Sequence, residues 1–309
     1  MSTKNKLYKF KENETFAALL QPTTEELLGK DYKFKGRWGR LFFGNDNPIV
    51  LELGCGKGEY TVQLAKLSPQ KNFIGIDIKG ARLWKGAKSV TEEKIPNAAF
   101  IRTRIEFIES LFGESEISEI WITFADPQIK RARKRLTGTL FLKRYSHFLK
   151  PNGIVHLKTD SLFLYKYTLF TAEQNRLQII NSIQDLYGAA AANAAGAANG
   201  AAGAANAAGA ANGAAGAANG AAAASNAAAG VGENLPEGLT TIRTFYEQYY
   251  IKNGFTIKYL SFRLLAEGNA ASACEGAVPL SLAEPEWDEE YWRAEEAKGR
   301  ENLVTNKGV

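Results

Sequence analysis

Short apolar runs alternate with segments of helical periodicity along most of the chain, starting at Pro48. Apolar runs bounded by turn residues are typical of buried strands, whereas apolar residues three and four apart predict amphipathic helices. The predicted strands are Ile49–Leu53, Phe73–Ile78, Phe100–Ile105, Ile120–Phe124 and Ile154–Thr159. The predicted helices are Glu59–Leu67, Ala81–Lys94, Ile105–Phe112, Leu140–Leu149 and Leu162–Asn175. Strands joined by such crossovers predict an α/β fold with a doubly wound, mainly parallel sheet covered on both faces.

The C-terminal part of this pattern adds two strands, at Leu177–Ile183 and Ile257–Leu264, with a helix between them at Thr241–Lys252. We expect these two strands to pair at one edge, which makes a seven-stranded sheet with an antiparallel edge strand.

Three regions depart from the pattern. Residues 189–230 consist almost entirely of Ala, Gly and Asn, and they lack the large apolar side chains that offset the entropy of ordering. We therefore expect one domain over 48–264, interrupted at 189–230 by a low-complexity insertion. It is preceded by a basic N-terminal arm over 1–47 and followed by an acidic tail over 265–309.

Composition narrows the class of protein. The 309 residues carry a net charge of +5 and only two cysteines, which excludes a disulfide scaffold and favours a reducing compartment. Neither a secretory leader nor a membrane-spanning run is visible, so we expect a soluble cytoplasmic protein. The basic residues are concentrated between Lys130 and Arg144, a stretch without acids, and such a patch suits a phosphate backbone.

The first candidate site is a glycine-rich turn that follows the strand Ile49–Leu53. Glycines at 54, 56 and 58 allow a tight turn and a close approach of the main chain to a ligand. A dinucleotide site would place its third glycine one residue later. The turn, with Glu52 at the strand end, resembles motif I of the class I S-adenosylmethionine-dependent methyltransferases, and Asp77 is placed to accept the ribose hydroxyls. A helix cap is an alternative role for Asp77.

The second candidate site is Asp126, which follows the strand Ile120–Phe124 and precedes the basic run. Ligands of open α/β sheets bind at the carboxyl ends of the strands, where this carboxylate is expected. The segment from Ala125 to Gln128, with Lys130 and the run Lys134–Thr137, resembles the Pro-Asp-Pro-Trp motif and basic stretch of the tRNA (guanine-N7)-methyltransferases.

Two further motifs carry the same resemblance, Thr159-Asp160 and the pattern Thr-x-x-Glu from Thr244 to Glu247. Ala125 and Gln128 depart from it, because the family has proline and tryptophan there.

The resemblance implies methyl transfer from S-adenosyl-L-methionine to N7 of a guanine in tRNA, at position 46 of the variable loop. It assigns Asp126 as the catalytic residue. The cofactor residues that it implies are Glu52, Gly54, Gly56, Asp77, Arg104 and Asp126. The implied substrate residues are Lys130, Asp160, Thr244, Phe245, Tyr246 and Glu247. We expect Arg131, Arg133, Lys134 and Arg135 to contact the RNA, and we expect no metal site and no membrane partner.

Several of these residues have plainer alternatives. Asp160 is also a candidate helix cap, Thr244 and Glu247 form the pattern of a capping box, and charge runs are often only solvated faces. At the level of function, the alternatives are methylation of another RNA base or of a small anionic molecule, and a tRNA-binding protein without turnover. The sequence leaves open whether the protein is a monomer or a homodimer.

Overall fold

The structure is a computed structural model that describes residues 3–188, 235–264 and 290–297. Its strands are β1 (Leu19–Leu20), β2 (Ile49–Leu53), β3 (Asn72–Asp77), β4 (Ala98–Arg102), β5 (Ile117–Thr123), β6 (Leu149–Thr159), β7 (Gln178–Ile183) and β8 (Lys258–Arg263). Its α-helices are α1 (Thr3–Asn13), α2 (Thr24–Leu27), α3 (Glu59–Leu67), α4 (Gly80–Glu92), α5 (Ile108–Leu111), α6 (Thr139–Ser146), α7 (Leu162–Gln174) and α8 (Phe245–Lys252). Single π or 3₁₀ turns cover Gly39–Phe43, Ile105–Phe107 and Ala132–Lys134.

All eight strands form one sheet in the order β1-β4-β3-β2-β5-β6-β8-β7. The pairs from β1 to β6 are parallel, whereas β8 runs antiparallel to both β6 and β7. The predicted fold class is therefore confirmed, including the antiparallel pairing at one edge. The added strand β1 is a two-residue strand with no alternating pattern of its own, so the sequence did not predict it.

The core lies on both faces of the sheet because successive side chains of a strand point to opposite sides. On β2, Leu51 and Leu53 pack into one cluster with α5, α6 and α7, and Val50 packs into the other with α3 and α4. Both faces of the strands are mostly apolar for this reason, and the candidate residues Gly54, Asp77 and Asp126 lie at or just after the strand ends.

The N-terminal region predicted as an arm over 1–47 is part of the folded body. Trp38 is fully buried, and its indole N–H donates to the carbonyl of Leu111 at 2.8 Å. Tyr32, Phe34 and Phe42 pack around it. Residues 16–43 therefore contribute to the core: Phe16, Leu19, Leu27, Tyr32 and Trp38 are buried, whereas Leu28 and Leu41 are exposed.

The predicted insertion at 189–230 and most of the predicted tail lie outside the described residues. Within the tail, residues 290–297 form a helix whose Trp292 packs edge to face on Phe163 of α7, with ring centroids 6.5 Å apart. Among the described residues, no helix is long and apolar enough to cross a membrane, and no cluster of three or more His, Cys, Asp or Glu side chains could hold a metal ion.

Candidate active site

The site lies where β2 is flanked by β3 on one side and β5 on the other. The chain passes from β2 to β3 on one side of the sheet and from β5 to β6 on the other. The loops after β2 and β5 therefore diverge and leave a crevice at the carboxyl ends of these strands. Gly54 follows β2, Asp77 ends β3, and the segment 124–130 follows β5. The topology therefore brings the two candidate sites of the sequence to one edge of the sheet.

The glycine turn and Asp77 are joined directly. Gly54 and Gly56 have φ angles of +74° and +57°, which a residue with a side chain rarely adopts. The backbone N–H of Gly56 donates to Oδ2 of Asp77 at 2.9 Å, and the N–H of Lys79 donates to Oδ1 at 2.7 Å. These bonds fix the carboxylate beside the turn.

A cavity of about 520 Å³ opens in front of this carboxylate, and we call it the Asp77 cavity. Gly54, Arg104, Lys134 and Asp126 line it together with Asp77. The guanidinium of Arg104 also pairs with Glu106 at 3.4 Å. Of the predicted cofactor residues, Glu52 and Gly56 are not part of this lining.

Glu52 lies beneath the turn, where it is buried. Its Oε2 accepts from the backbone N–H and the hydroxyl of Thr61, at 2.9 and 2.5 Å, and its Oε1 accepts from the hydroxyl of Thr123 at 2.6 Å. Burial raises the pKa of this carboxyl to about 7, against the hydrogen bonds from Thr123 and Thr61 that lower it. The side chain therefore ties the start of α3 to the end of β5.

Asp126 stands on an irregular loop. The flanking residues Phe124 and Gln128 have φ angles of +50° and +48°, and such strain is characteristic of functional loops. The N–H of Gln128 donates to Oδ1 of Asp126 at 3.0 Å, while the side chain of Asp126 stays exposed. The loop thus presents a carboxylate to solvent at the carboxyl end of β5.

Arg135 is a correction to the predicted RNA contacts. Only 2% of the residue is exposed. Its guanidinium donates to the carbonyls of Pro127, Gln128 and Ile129 at 3.2 to 3.3 Å, and it lies 4.0 Å from the ring centroid of Tyr167. A side chain held in this way cannot reach a phosphate, and it instead fixes the loop that carries Asp126.

A second cavity, of about 600 Å³, lies on the other side of this loop, and we call it the Asp160 cavity. Asp160, Lys130, Arg131 and Tyr250 line it, and so do Arg293 and Glu296 of the C-terminal helix. Four residues line both cavities, namely Phe124, Ala125, Asp126 and Gln128. The loop of Asp126 is therefore the wall between the two cavities.

The Thr-x-x-Glu motif forms a capping box at the start of α8. The hydroxyl of Thr244 accepts from the N–H of Glu247 at 3.2 Å, and the carboxylate of Glu247 accepts from the N–H of Thr244 at 3.4 Å. Glu247 is fully buried and forms an ion pair with the buried ammonium of Lys158, at 2.7 Å. Phe245 and Tyr246 are exposed. The motif thus anchors α8 beside the site, and none of its four residues lines the Asp160 cavity.

The remaining basic residues of the run are exposed, as a phosphate-binding strip requires. Lys130 and Arg131 line the Asp160 cavity, and Lys134 lines the Asp77 cavity. Arg133 is exposed outside both linings.

Sequence reasoning missed Tyr250, which lines the Asp160 cavity and stacks on Phe124 with ring centroids 6.0 Å apart. Helical spacing could have predicted this residue, because Tyr250 lies about one turn after the predicted site residue Glu247 and therefore on the same side of α8.

Comparison with known proteins identifies the family of this chain. A family model described as "Putative methyltransferase" matches residues 46–192. Among relatives named "tRNA (guanine-N(7)-)-methyltransferase", the protein of Christiangramia forsetii is 46% identical over 266 residues, covering 85% of this chain and all of that protein. Those of Bacteroides thetaiotaomicron and Porphyromonas gingivalis are 41% and 43% identical, over 86% and 91% of this chain and 88% and 96% of their own lengths.

Among solved structures, an antibiotic-related methyltransferase has a TM-score of 0.44 at 13% identity, covering 72% of this chain and 89% of that one. The assignment therefore rests on the sequence relatives, two of which match this chain at more than 40% identity over nearly their full lengths. This chain belongs to the tRNA (guanine-N(7)-)-methyltransferase family.

Proposed function

We propose that this protein transfers a methyl group from S-adenosyl-L-methionine to N7 of a guanine in tRNA, at position 46 of the variable loop. The observation that carries the proposal is the wall that the Asp126 loop forms between two cavities. Because the two cavities adjoin at this loop, a ligand bound in each would lie next to the other, as a group-transfer reaction requires of its two reacting atoms. The names of the relatives supply the nucleotide and the atom.

The Asp77 cavity fits the methyl donor. Each carboxylate oxygen of Asp77 accepts one backbone N–H, which leaves acceptor capacity for the two ribose hydroxyls of an adenosyl group. A Cβ on Gly54 would meet no atom within 4 Å, so the main chain there borders open space that a ligand can fill. The donor supplies a methyl group on a positively charged sulfur when it is bound.

Glu52 lies beneath the glycine turn and supports the wall of the Asp77 cavity. Its bonds to Thr61 and Thr123 hold α3 and the end of β5 in register around the turn. We assign it a positioning role in place of the direct cofactor contact that the resemblance implies.

The Asp160 cavity fits the guanine. N7 of guanine already carries a lone pair, so the protein need not remove a proton from the attacking atom, and its task is to orient and select the base. A carboxylate accepts from N1–H and the 2-amino group of guanine, and adenine offers no such pair of donors. Asp126 and Asp160 both face this cavity and are the candidates for this contact.

Phosphate contacts come from the exposed basic residues, Lys130, Arg131, Arg133 and Lys134. Such contacts orient the RNA and carry no base information. Arg135 is excluded from this set by its burial.

The test is methyl transfer from labelled donor to unmodified tRNA transcripts, followed by mapping of the methylated base. We expect 7-methylguanine in the wild-type reaction, its loss when guanine 46 is replaced by adenine, and a decrease of about a hundredfold or more for Asp126→Asn. The exposed Asp46→Asn is the matched control and keeps its activity. Label in another base, label in a small anionic acceptor only, or tRNA binding without label contradicts the proposal.

A further inference from the structure

Helix α8 exposes three aromatic side chains, Phe245, Tyr246 and Tyr249, and we call them the aromatic face of α8. They are 58%, 41% and 53% exposed. Aromatic rings of this size are normally buried in the core or at an interface, so three on one turn and a half of helix indicate a partner.

The surroundings of the aromatic face are cationic. Nζ of Lys57 lies 4.3 Å from the ring centroid of Phe245, and Arg82 donates to the hydroxyl of Tyr246 at 3.2 Å. The one acid of α8, Glu247, is buried and paired with Lys158. Glu59, an acid outside the helix, accepts from the N–H of Phe245 and forms an ion pair with Lys85. An anionic, planar ligand is therefore complementary to this face.

The aromatic face continues into the active site. The rings of Tyr249 and Tyr250 are 5.8 Å apart, and Tyr250 stacks on Phe124 at 6.0 Å. Phe124 and Tyr250 both line the Asp160 cavity, and Arg82, bonded to Tyr246, lines the Asp77 cavity. A strand of RNA that delivers one base to the Asp160 cavity therefore passes close to this face.

We propose that unpaired nucleotides next to the target base stack on Phe245 and Tyr249 while Lys57 and Arg82 contact their phosphates. The proposal rests on the proposed function and adds a nucleotide-binding surface to it. Unpaired bases expose the π-faces that stack on aromatic side chains, and base-paired RNA does not. The surface therefore favours RNA segments that are single-stranded around the guanine.

The test uses the double variant Phe245→Ala/Tyr249→Ala in the full-length protein, with tRNA binding measured by fluorescence anisotropy. We expect the affinity to fall about twenty-fivefold or more, since two stacking rings are removed and each stacked base contributes about fivefold or more. Tyr249→Phe keeps the ring and binds within about twofold of wild type. Phe170→Ala, which removes a ring 40% exposed on α7, is the matched control and leaves binding unchanged. An unchanged affinity of the double variant, with an unchanged melting temperature, overturns the proposal.

Two further measurements separate this inference from the proposed function. Binding of a short oligouridylate without methyl donor falls in the double variant, whereas binding of a blunt-ended RNA duplex stays as in wild type. The salt dependence of tRNA binding keeps its slope, because stacking releases no counterions. If wild type yields no 7-methylguanine but oligouridylate binding still falls, the proposed function fails and the aromatic face stands. Equal losses for oligouridylate and duplex overturn the stacking role.

Discussion

Three consecutive carbonyl groups of the loop that carries Asp126 accept hydrogen bonds from a single side chain, that of Arg135. The flat guanidinium presents several N–H groups in a fixed fork, and its face packs on the ring of Tyr167. Phe124 and Gln128 keep left-handed backbone conformations in the same loop, which cost free energy unless the surroundings hold them. Arg135 thus links the packing of Tyr167 on α7 to the position of the Asp126 carboxylate.

Arg135→Lys tests this link. Lysine keeps the charge, but its compact ammonium lacks the flat, rigid fork that spans the three carbonyls and packs on Tyr167. We therefore expect kcat for methyl transfer to fall about tenfold or more through misplacement of Asp126. We expect the unfolding free energy to fall by about 1–3 kcal/mol, because three part-buried carbonyls lose their donors. Exposed Arg133→Ala is the control: it lowers the salt slope of tRNA binding by about one and leaves kcat unchanged. If Arg135→Lys weakens only tRNA affinity, Arg135 is an RNA contact after all.

Glu52 gives the candidate site a pH-dependent stability. Burial raises its pKa from an ordinary 4.5 to about 7, with the nearby Asp77 contributing to the rise. A carboxyl whose pKa is higher in the folded state favours folding while it is protonated. Its contribution is complete below about pH 4.5 and is lost as the pH rises through 7, a change of up to about 3 kcal/mol.

Glu52→Gln removes the pH-dependent contribution to stability, because an amide does not titrate. The amide keeps the hydrogen bonds, since its oxygen can accept from Thr61 and its nitrogen can donate to Thr123. We expect the unfolding free energy of the variant, relative to wild type, to rise by up to about 3 kcal/mol between pH 4.5 and 7, measured by denaturant titration. Exposed Glu25→Gln provides the baseline. A difference that is constant with pH would mean that Glu52 keeps an ordinary pKa.

At the scale of the element, α8 is held by one buried ion pair. Lys158 on β6 and Glu247 on α8 are both fully buried, and Lys158 also donates to the carbonyls of Leu239 and Ile242. Burial lowers the pKa of Lys158, and the carboxylate of Glu247 opposes that change. Tyr187 donates to Glu247 at 2.5 Å, so the carboxylate is satisfied from several sides.

Glu247→Gln leaves a buried ammonium without its counter-charge, and we expect a loss of about 3–5 kcal/mol in unfolding free energy. Thr244→Ala removes only the helix cap, with an expected loss of about 1 kcal/mol. Both are measured by denaturant unfolding, alongside methyl transfer at a temperature where each variant is folded. Equal stability of the two variants, with transfer lost only in Glu247→Gln, would favour the substrate contact that the family resemblance implies.

The elements were readable from the sequence wherever local pattern decides them. Strand β2 and helix α3 have the predicted bounds, since an apolar run and a helical period are properties of neighbouring residues. The burial of Arg135 could not be predicted from the sequence, which shows five basic side chains between 130 and 135. Arg135 is the one that packs on Tyr167, a residue of α7 that is distant in the sequence. Burial of Glu52 was hidden for the same reason, since its partner Thr123 lies on another strand.

At the scale of the whole molecule, the C-terminal end of the chain forms part of the candidate site. The C-terminal helix at 290–297 places Arg293 and Glu296 in the lining of the Asp160 cavity. Oε2 of Glu296 accepts from the N–H of Phe163 at 3.2 Å, in the first turn of α7. The N-terminus of a helix favours anions, whether carboxylate or phosphate. The carboxylate of Glu296 thus occupies a position that would also attract an RNA phosphate, in the same cavity lining as the basic residues Lys130 and Arg131.

Glu296→Gln should therefore tighten tRNA binding. Removing one carboxylate from a helix N-terminus changes an anion's free energy there by about 0.3–1 kcal/mol, which corresponds to a gain of about two- to fivefold in affinity at low salt. The gain shrinks as salt screens the charge. Glu290→Gln makes the same change in charge on the same helix outside the cavity lining, and it leaves the affinity unchanged. Weaker binding by Glu296→Gln would show that the helix belongs to the RNA site, because only a contact that RNA itself uses is lost with the carboxylate.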